Sequence, residues 1–137
     1  MQEYEVRDMA LAPSGHEKIN WVKKNMPLLA GLEKEFRQTK PFKDVKISLS
    51  VHLEAKTAYL CKVLAAGGAI MSVTGSNVLS TQDDVAAALV DDGLRVFAYH
   101  GATEEEYKRH IRKTLENGPQ IIIDDGGDLI GMLHTEM

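Results

Sequence analysis

Residues 45–73 read VKISLSVHLEAKTAYLCKVLAAGGAIMSV, and this stretch decides the fold. Val45 to Val51 alternates apolar and polar side chains with the two-residue period of a strand. From about Leu53 to Ala66 the spacing becomes helical, with Leu60, Cys61 and Leu64 facing inward. Gly67-Gly68 stops that helix, and Ala69 to Val73 begins another strand. The unit then recurs. Ser80 with Asp83 opens a helix that closes at Gly93, and Arg95 to Ala98 is a third strand. Thr103 caps a helix ending at Gly118-Pro119, and Ile121-Ile122-Ile123 is a fourth strand. Being wholly apolar, that last strand is expected to be buried on both faces of a parallel sheet.

Working outward, the region up to about residue 40 is expected to be helical. Ser14 and Glu17 have capping-box spacing, and Ile19, Val22 and Met26 fall on one face. Pro27 lacks an amide hydrogen, so the helix kinks or restarts there. Leu28, Leu29, Leu32 and Phe36 carry the apolar stripe onward to Lys40-Pro41. In the helix after Thr103, Glu104 to Glu106 lie in the first turn and Lys108, Arg109, Arg112 and Lys113 follow, complementing the macrodipole. Glu104–Lys108 and Glu105–Arg109 have the spacing of surface ion pairs, with Tyr107, Ile111 and Leu115 as the buried stripe. His110, in this charged helix, is expected to be solvated. Strands alternating with amphipathic helices imply right-handed crossovers. The fold class is therefore α/β, an open parallel sheet of about four strands of the Rossmann-like or flavodoxin-like kind. Only one short helix's worth of chain follows the last strand, so the domain is expected to be incomplete and the polypeptide part of something longer.

Composition excludes several functions. The net charge is −4 with no concentration of Lys and Arg, so a nucleic-acid footprint is absent. No apolar run approaches the roughly 20 residues of a membrane helix. The acidic, polar opening Met1-Gln2-Glu3-Tyr4-Glu5 is unlike a secretory signal. Cys61 is the only cysteine, so no disulfide forms within the chain and a cytoplasmic location is expected.

In open α/β sheets, ligands bind beyond the carboxyl ends of the strands. Those ends deliver His52, then Thr74-Gly75-Ser76-Asn77, then Tyr99-His100-Gly101, and finally Asp124-Asp125-Gly126-Gly127-Asp128. His52 can act as general acid or base because imidazole titrates near neutrality. The adjacent carboxylates Asp124 and Asp125 can bind sugar hydroxyls, bind a metal or accept a proton; either can equally be a turn or helix cap, and Asp128 is read as a cap. His52 with the two acids specifies no particular metal ion, and none is expected. No Gly-x-Gly-x-x-Gly follows a strand, and Gly67-Gly68 follows a helix, so this chain is not expected to bind a dinucleotide.

The same residues carry a family resemblance. Asp8-Met9-Ala10-Leu11-Ala12, Asn25-Met26-Pro27 and Lys40-Pro41 resemble the opening region of adenosylhomocysteinases. So do His52-Leu53-Glu54-Ala55-Lys56-Thr57-Ala58, Thr74-Gly75-Ser76-Asn77, and the run from Leu79 to Ala88. Glu105-Glu106-Tyr107 and Ile123-Asp124-Asp125-Gly126-Gly127-Asp128-Leu129 complete the match, in order and across nearly the whole chain. The resemblance implies that residues 1–137 are the N-terminal portion of a substrate-binding domain, with a helical opening over 1–40 and βα units over 45–137. The NAD-binding domain is absent from this chain. The implied reaction is reversible hydrolysis of S-adenosyl-L-homocysteine to adenosine and homocysteine, with NAD oxidising the ribose 3′ hydroxyl. By motif, Asp125 takes the 4′ proton and helps hold the ribose, His52 transfers protons at the 5′ position, and Asn77 lines the substrate pocket. A small nucleoside thioether substrate and a homo-oligomeric complete enzyme are also implied. Many family members have Thr and Glu where this chain has Glu54 and Lys56, positions near the purine, so a hypoxanthine-bearing substrate is a second possibility for the base. The isolated chain is expected to be inactive. The competing reading is a non-catalytic nucleoside-binding or regulatory module of the same descent.

Overall fold

A computed structural model describes residues 3–135; Met1, Gln2, Glu136 and Met137 lie outside the described residues. Five parallel strands form one sheet in the order β1-β4-β3-β2-β5. They are β1 (Glu5–Val6), β2 (Lys46–Val51), β3 (Ile70–Gly75), β4 (Arg95–Ala98) and β5 (Ile121–Asp124). Six helices accompany them: α1 (Ala12–Asn25), α2 (Pro27–Thr39), α3 (Ala55–Ala66), α4 (Asp83–Asp91), α5 (Glu104–Leu115) and α6 (Asp128–Thr135). The α/β parallel architecture is as the alternation of periods implies. None of these helices is long and apolar enough to cross a membrane.

Chain direction explains the layering. From β2 the chain steps through α3 to β3 and through α4 to β4, then reverses through α5 to β5 on the far side of β2. Right-handed crossovers in opposite directions place α3 and α4 on one face and α5 on the other. The larger core cluster lies on the first face, where Leu49, Val73, Val85, Leu89 and Val96 are fully buried. Each such side chain contributes roughly 1.5–3 kcal/mol through removal from water. A smaller cluster of Ile111, Leu115, Leu129 and Met132 joins α5 to α6.

Several expectations are corrected. The sheet has five strands, because Glu5 and Val6 pair with Phe97 and Ala98 of β4. Two residues are too few to show a strand period, and what holds them is tertiary. Arg109 donates to both Glu5 carboxylate oxygens at 3.0 and 2.7 Å, and the Arg7 guanidinium lies 4.2 Å from the centre of the Tyr99 ring. Arg109 therefore pairs with Glu5 rather than Glu105, while Glu104–Lys108 forms as an exposed pair. His110 is buried, not solvated: it is 1% exposed and packs edge-on against Tyr99. Its Nε2 lies 2.9 Å from Glu5 Oε1.

β5 is an edge strand among the described residues, pairing with β2 alone, and Ile121 is exposed. It is thus not buried on both faces. Ser14 does not cap α1, which begins two residues earlier; its hydroxyl donates to Asp84 Oδ2 at 2.7 Å. Met26 closes α1 and Pro27 opens α2, the restart that the proline demands. The stripe on α2 is only half realised. Leu28 and Leu32 are exposed, and the one fully buried residue of that helix is Glu33.

Candidate active site at the strand ends

The chain leaves β2 into α3 on one face of the sheet and leaves β5 into α6 beside α5 on the other, so a crevice opens between the carboxyl ends of β2 and β5. This is the switch point at which open α/β sheets bind ligands. The ladder continues one step past β5, where the Asp125 N–H donates to Ser50 O at 3.2 Å. That bond brings Asp125 alongside His52, the residue following β2. His52 Nε2 lies 3.9 Å from Asp125 Oδ2, with both side chains about half exposed. The two residues singled out as catalytic candidates thus share one crevice.

The three acids after β5 separate by their partners. The Asp124 carboxylate accepts backbone N–H groups from Gly126, Gly127, Leu129 and Ile130 at 2.9–3.2 Å. It is the cap of α6. Asp128, read as a cap from the sequence, instead accepts the Tyr107 hydroxyl, which also lies 3.2 Å from Ser76 O. Burial pushes the Tyr107 phenol up, and the Asp128 carboxylate adds to the shift, so this tyrosine stays neutral. Asp125 alone keeps its carboxylate for the crevice.

The β3–α4 loop forms the other wall. Asn77 Oδ1 accepts the Leu79 N–H at 2.8 Å, an Asx turn. The Asn77 carbonyl accepts from the Ser80 and Thr81 N–H groups and from Thr81 Oγ1. Asn77 itself is exposed and lines a cavity of about 410 Å³ with Ser76, Thr103, Tyr107 and Asp128. Gly75 is required here: a Cβ would lie 2.4 Å from Thr81 Oγ1. Ser80 was read as a helix cap, but Gln82 occupies that position, its N–H bonded to Leu53 O. The Ser80 hydroxyl instead meets His52 Nδ1 at 2.7 Å. Nothing in the periodicity marks that contact, because it joins residues 28 apart. His100 is used structurally, its ring bonding Thr81 O and its N–H bonding Asp83.

Glu54 caps α3 by accepting the Thr57 N–H at 2.9 Å, which leaves its second oxygen uncommitted. Lys56 follows in the first turn. Both line a cavity of about 460 Å³ together with Lys18, Trp21, Val22 and Gln82. Neither His52 nor Asp125 lines that cavity; the two side chains meet in the open crevice instead.

Set against known proteins, residues 3–137 match the family described as S-adenosyl-L-homocysteine hydrolase. The chain is 53% identical over 131 residues to the S-inosyl-L-homocysteine hydrolase of Methanococcus maripaludis, covering 96% of this chain and 32% of that protein. It is 50% identical over 134 residues to the adenosylhomocysteinase of Pyrococcus abyssi, covering 98% and 32%. A further S-inosyl-L-homocysteine hydrolase, from Methanocaldococcus jannaschii, is 50% identical over 133 residues. The chain spans about a third of the length of these curated relatives.

Proposed function

The chain belongs to the S-adenosyl-L-homocysteine hydrolase family, and from that premise we propose that it supplies the acid–base edge of the substrate-binding domain in an enzyme hydrolysing S-adenosyl-L-homocysteine. The observation that carries this reading is the 3.9 Å approach of His52 to Asp125 across the switch-point crevice. Asp125, the one acid of its turn without a structural partner for its side chain, takes the proton from ribose C4′. His52 gives a proton to homocysteine sulfur as it departs from C5′, and takes one from the water that enters. Asn77, assigned to the substrate pocket by the resemblance, lines the cavity with Ser76, Tyr107 and Asp128 rather than contacting the His52–Asp125 pair.

NAD is assigned by the resemblance to the oxidation and later reduction of the ribose 3′ carbon. The residues of this chain do not fit it. In the glycine-containing turn after β4, the His100, Gly101 and Ala102 N–H groups are spent on Asp83 Oδ1, Val78 O and Tyr99 O, and in the turn after β5, Asp125-Gly126-Gly127-Asp128, both glycine N–H groups are occupied by the Asp124 carboxylate. A pyrophosphate would meet three negative side chains there. The cofactor is therefore assigned to the part of the relatives' length that this chain does not span, and to this chain proton transfer and positioning.

The base is set at Glu54 and Lys56. A second reading, hydrolysis of S-inosyl-L-homocysteine, is favoured by that pair. An ammonium donates to the hypoxanthine O6, and the free Glu54 oxygen accepts from N1–H. Two of the relatives named above bear that substrate in their names.

The test is a chimera in which residues 3–135 replace the matching third of the Methanococcus maripaludis relative. With NAD present, the chimera is expected to hydrolyse a nucleosyl-homocysteine, whereas the 137-residue chain alone shows negligible turnover. His52→Asn and Asp125→Asn should each lower kcat by on the order of 10²–10⁴-fold. Full activity in either variant would sink the acid–base assignment, and nucleoside binding without turnover would favour a non-catalytic module. Trp21, the only tryptophan, borders the Glu54–Lys56 cavity, so its fluorescence reports titrations with adenosine and with inosine.

A further inference from the structure

The imidazole of His52 has two nitrogens, and its chemistry depends on which one carries the proton when the ring is neutral. Nδ1 faces the Ser80 hydroxyl at 2.7 Å. That hydroxyl also lies 3.2 Å from Asn77 O, three residues back, in the geometry by which a serine bonds its own turn. A hydroxyl has one proton to give. If Ser80 gave it to Nδ1, its contact with the Asn77 carbonyl would set two oxygen lone pairs against each other. If Ser80 gives it to Asn77 O, both contacts are hydrogen bonds, and Nδ1 must be the donor to Oγ.

The other nitrogen does not oppose this. Asp125 Oδ2 is 3.9 Å from Nε2, beyond hydrogen-bond reach, so no bond there holds a proton on Nε2. The loop cannot easily rearrange either. Thr81 is buried and its hydroxyl is clasped by Asn77 O, Gly75 leaves no room beneath it, and the Gln82 N–H is tied to Leu53 O next to His52 itself.

We infer that Ser80 is a positioning residue that fixes His52 as the Nδ1–H tautomer, leaving the Nε2 lone pair directed to the crevice beside Asp125. The chain of bonds runs from His52 Nδ1–H to Ser80 Oγ, and from Ser80 O–H to the Asn77 carbonyl. This deepens the reading of His52 as the proton carrier. A cationic ring that gives its Nε2 proton to a leaving sulfur becomes this same neutral tautomer, which then takes one proton from water at Nε2 and is cationic again. Nδ1 keeps its proton throughout, with Ser80 as its acceptor in both charge states.

Nitrogen-15 NMR of the 137-residue chain, labelled at histidine, tests the assignment without requiring turnover. His52 is identified by the signals missing from His52→Gln, and the comparison is made on the spectrum of the neutral ring. The wild type is expected to show predominantly the Nδ1–H form. Ser80→Ala should revert to the Nε2–H form that a free histidine side chain prefers in water, and Ser80→Thr should restore the wild-type pattern. A wild-type ring that is mainly Nε2–H, or a tautomer unchanged in Ser80→Ala, would overturn the inference. Because the spectra report the tautomer alone, an inactive chimera would defeat the catalytic reading and leave this one standing.

Discussion

Helices α2 and α4 look alike on paper and behave differently in the molecule. Both carry enough apolar residues to predict a buried face. In α4 every residue from Val85 to Val90 is buried, because the helix is held between β4 and α1. In α2 Leu28 and Leu32 face outward, Leu28 at 84% exposure, and Trp21 in α1 is 65% exposed. Leu29 and Phe36 pack half-buried against the core, and an ionic cluster at Glu33 completes the attachment of α2. The buried Glu33 carboxylate accepts the Tyr59 hydroxyl at 2.7 Å and pairs with Arg37 and Lys23. Burial alone would raise the Glu33 pKa, but those three partners hold it below the ordinary carboxylate value. An apolar stripe records that a face has affinity for apolar surface; it does not record whether the same chain provides that surface.

Breaking the α4 side should have the largest effect. A Cβ at Gly15 would stand 2.0 Å from Asp84 O and 2.8 Å from Ala88 Cβ, so Gly15→Ala must push α1 away from α4. We expect a loss of about 3 kcal/mol or more in urea denaturation. A variant melting like the wild type would mean that the two helices do not meet as described.

His110 on α5 is an intermediate case, a polar residue buried where the pattern placed solvent. Burial lowers its pKa below the ordinary 6.5, and the nearby Glu5 only partly offsets this. The unfolded chain therefore binds the proton more readily than the folded one. The contribution to stability is fully present above about pH 6.5 and declines as the pH falls toward the folded value. Stability measured along that window should drop in the wild type and flatten in His110→Leu; parallel profiles would exclude His110 as the cause.

The smallest effect should come from α2. Leu28→Ser removes an exposed side chain and should alter stability by no more than about 0.5 kcal/mol. A thermal shift well beyond that would show that Leu28 is covered in solution.

Much of the strand-end crevice is legible in the sequence. His52 and Asp125 stand at the ends of strands whose periods are plain, and parallel strands put their carboxyl ends on one side. The ranking among Asp124, Asp125 and Asp128 was not legible. All three sit in one acidic turn, and which becomes a cap depends on where the N–H groups of α6 fall. Ser80 and His110 were misassigned for a related reason. Each is explained by a partner far along the chain, Ser80 by His52 and His110 by Tyr99 and Glu5, and local periodicity carries no information about such partners.

The sequence by itself determined the α/β class, the parallel sense of the sheet and the residues carried to its chemical edge, since each follows from periods, caps and breakers within a dozen residues. Only the tertiary structure decided the short β1 strand, the exposed edge of β5 and the hydroxyl that holds the His52 ring. Those features rest on contacts between distant segments, and their energies exist only once the chain has closed on itself.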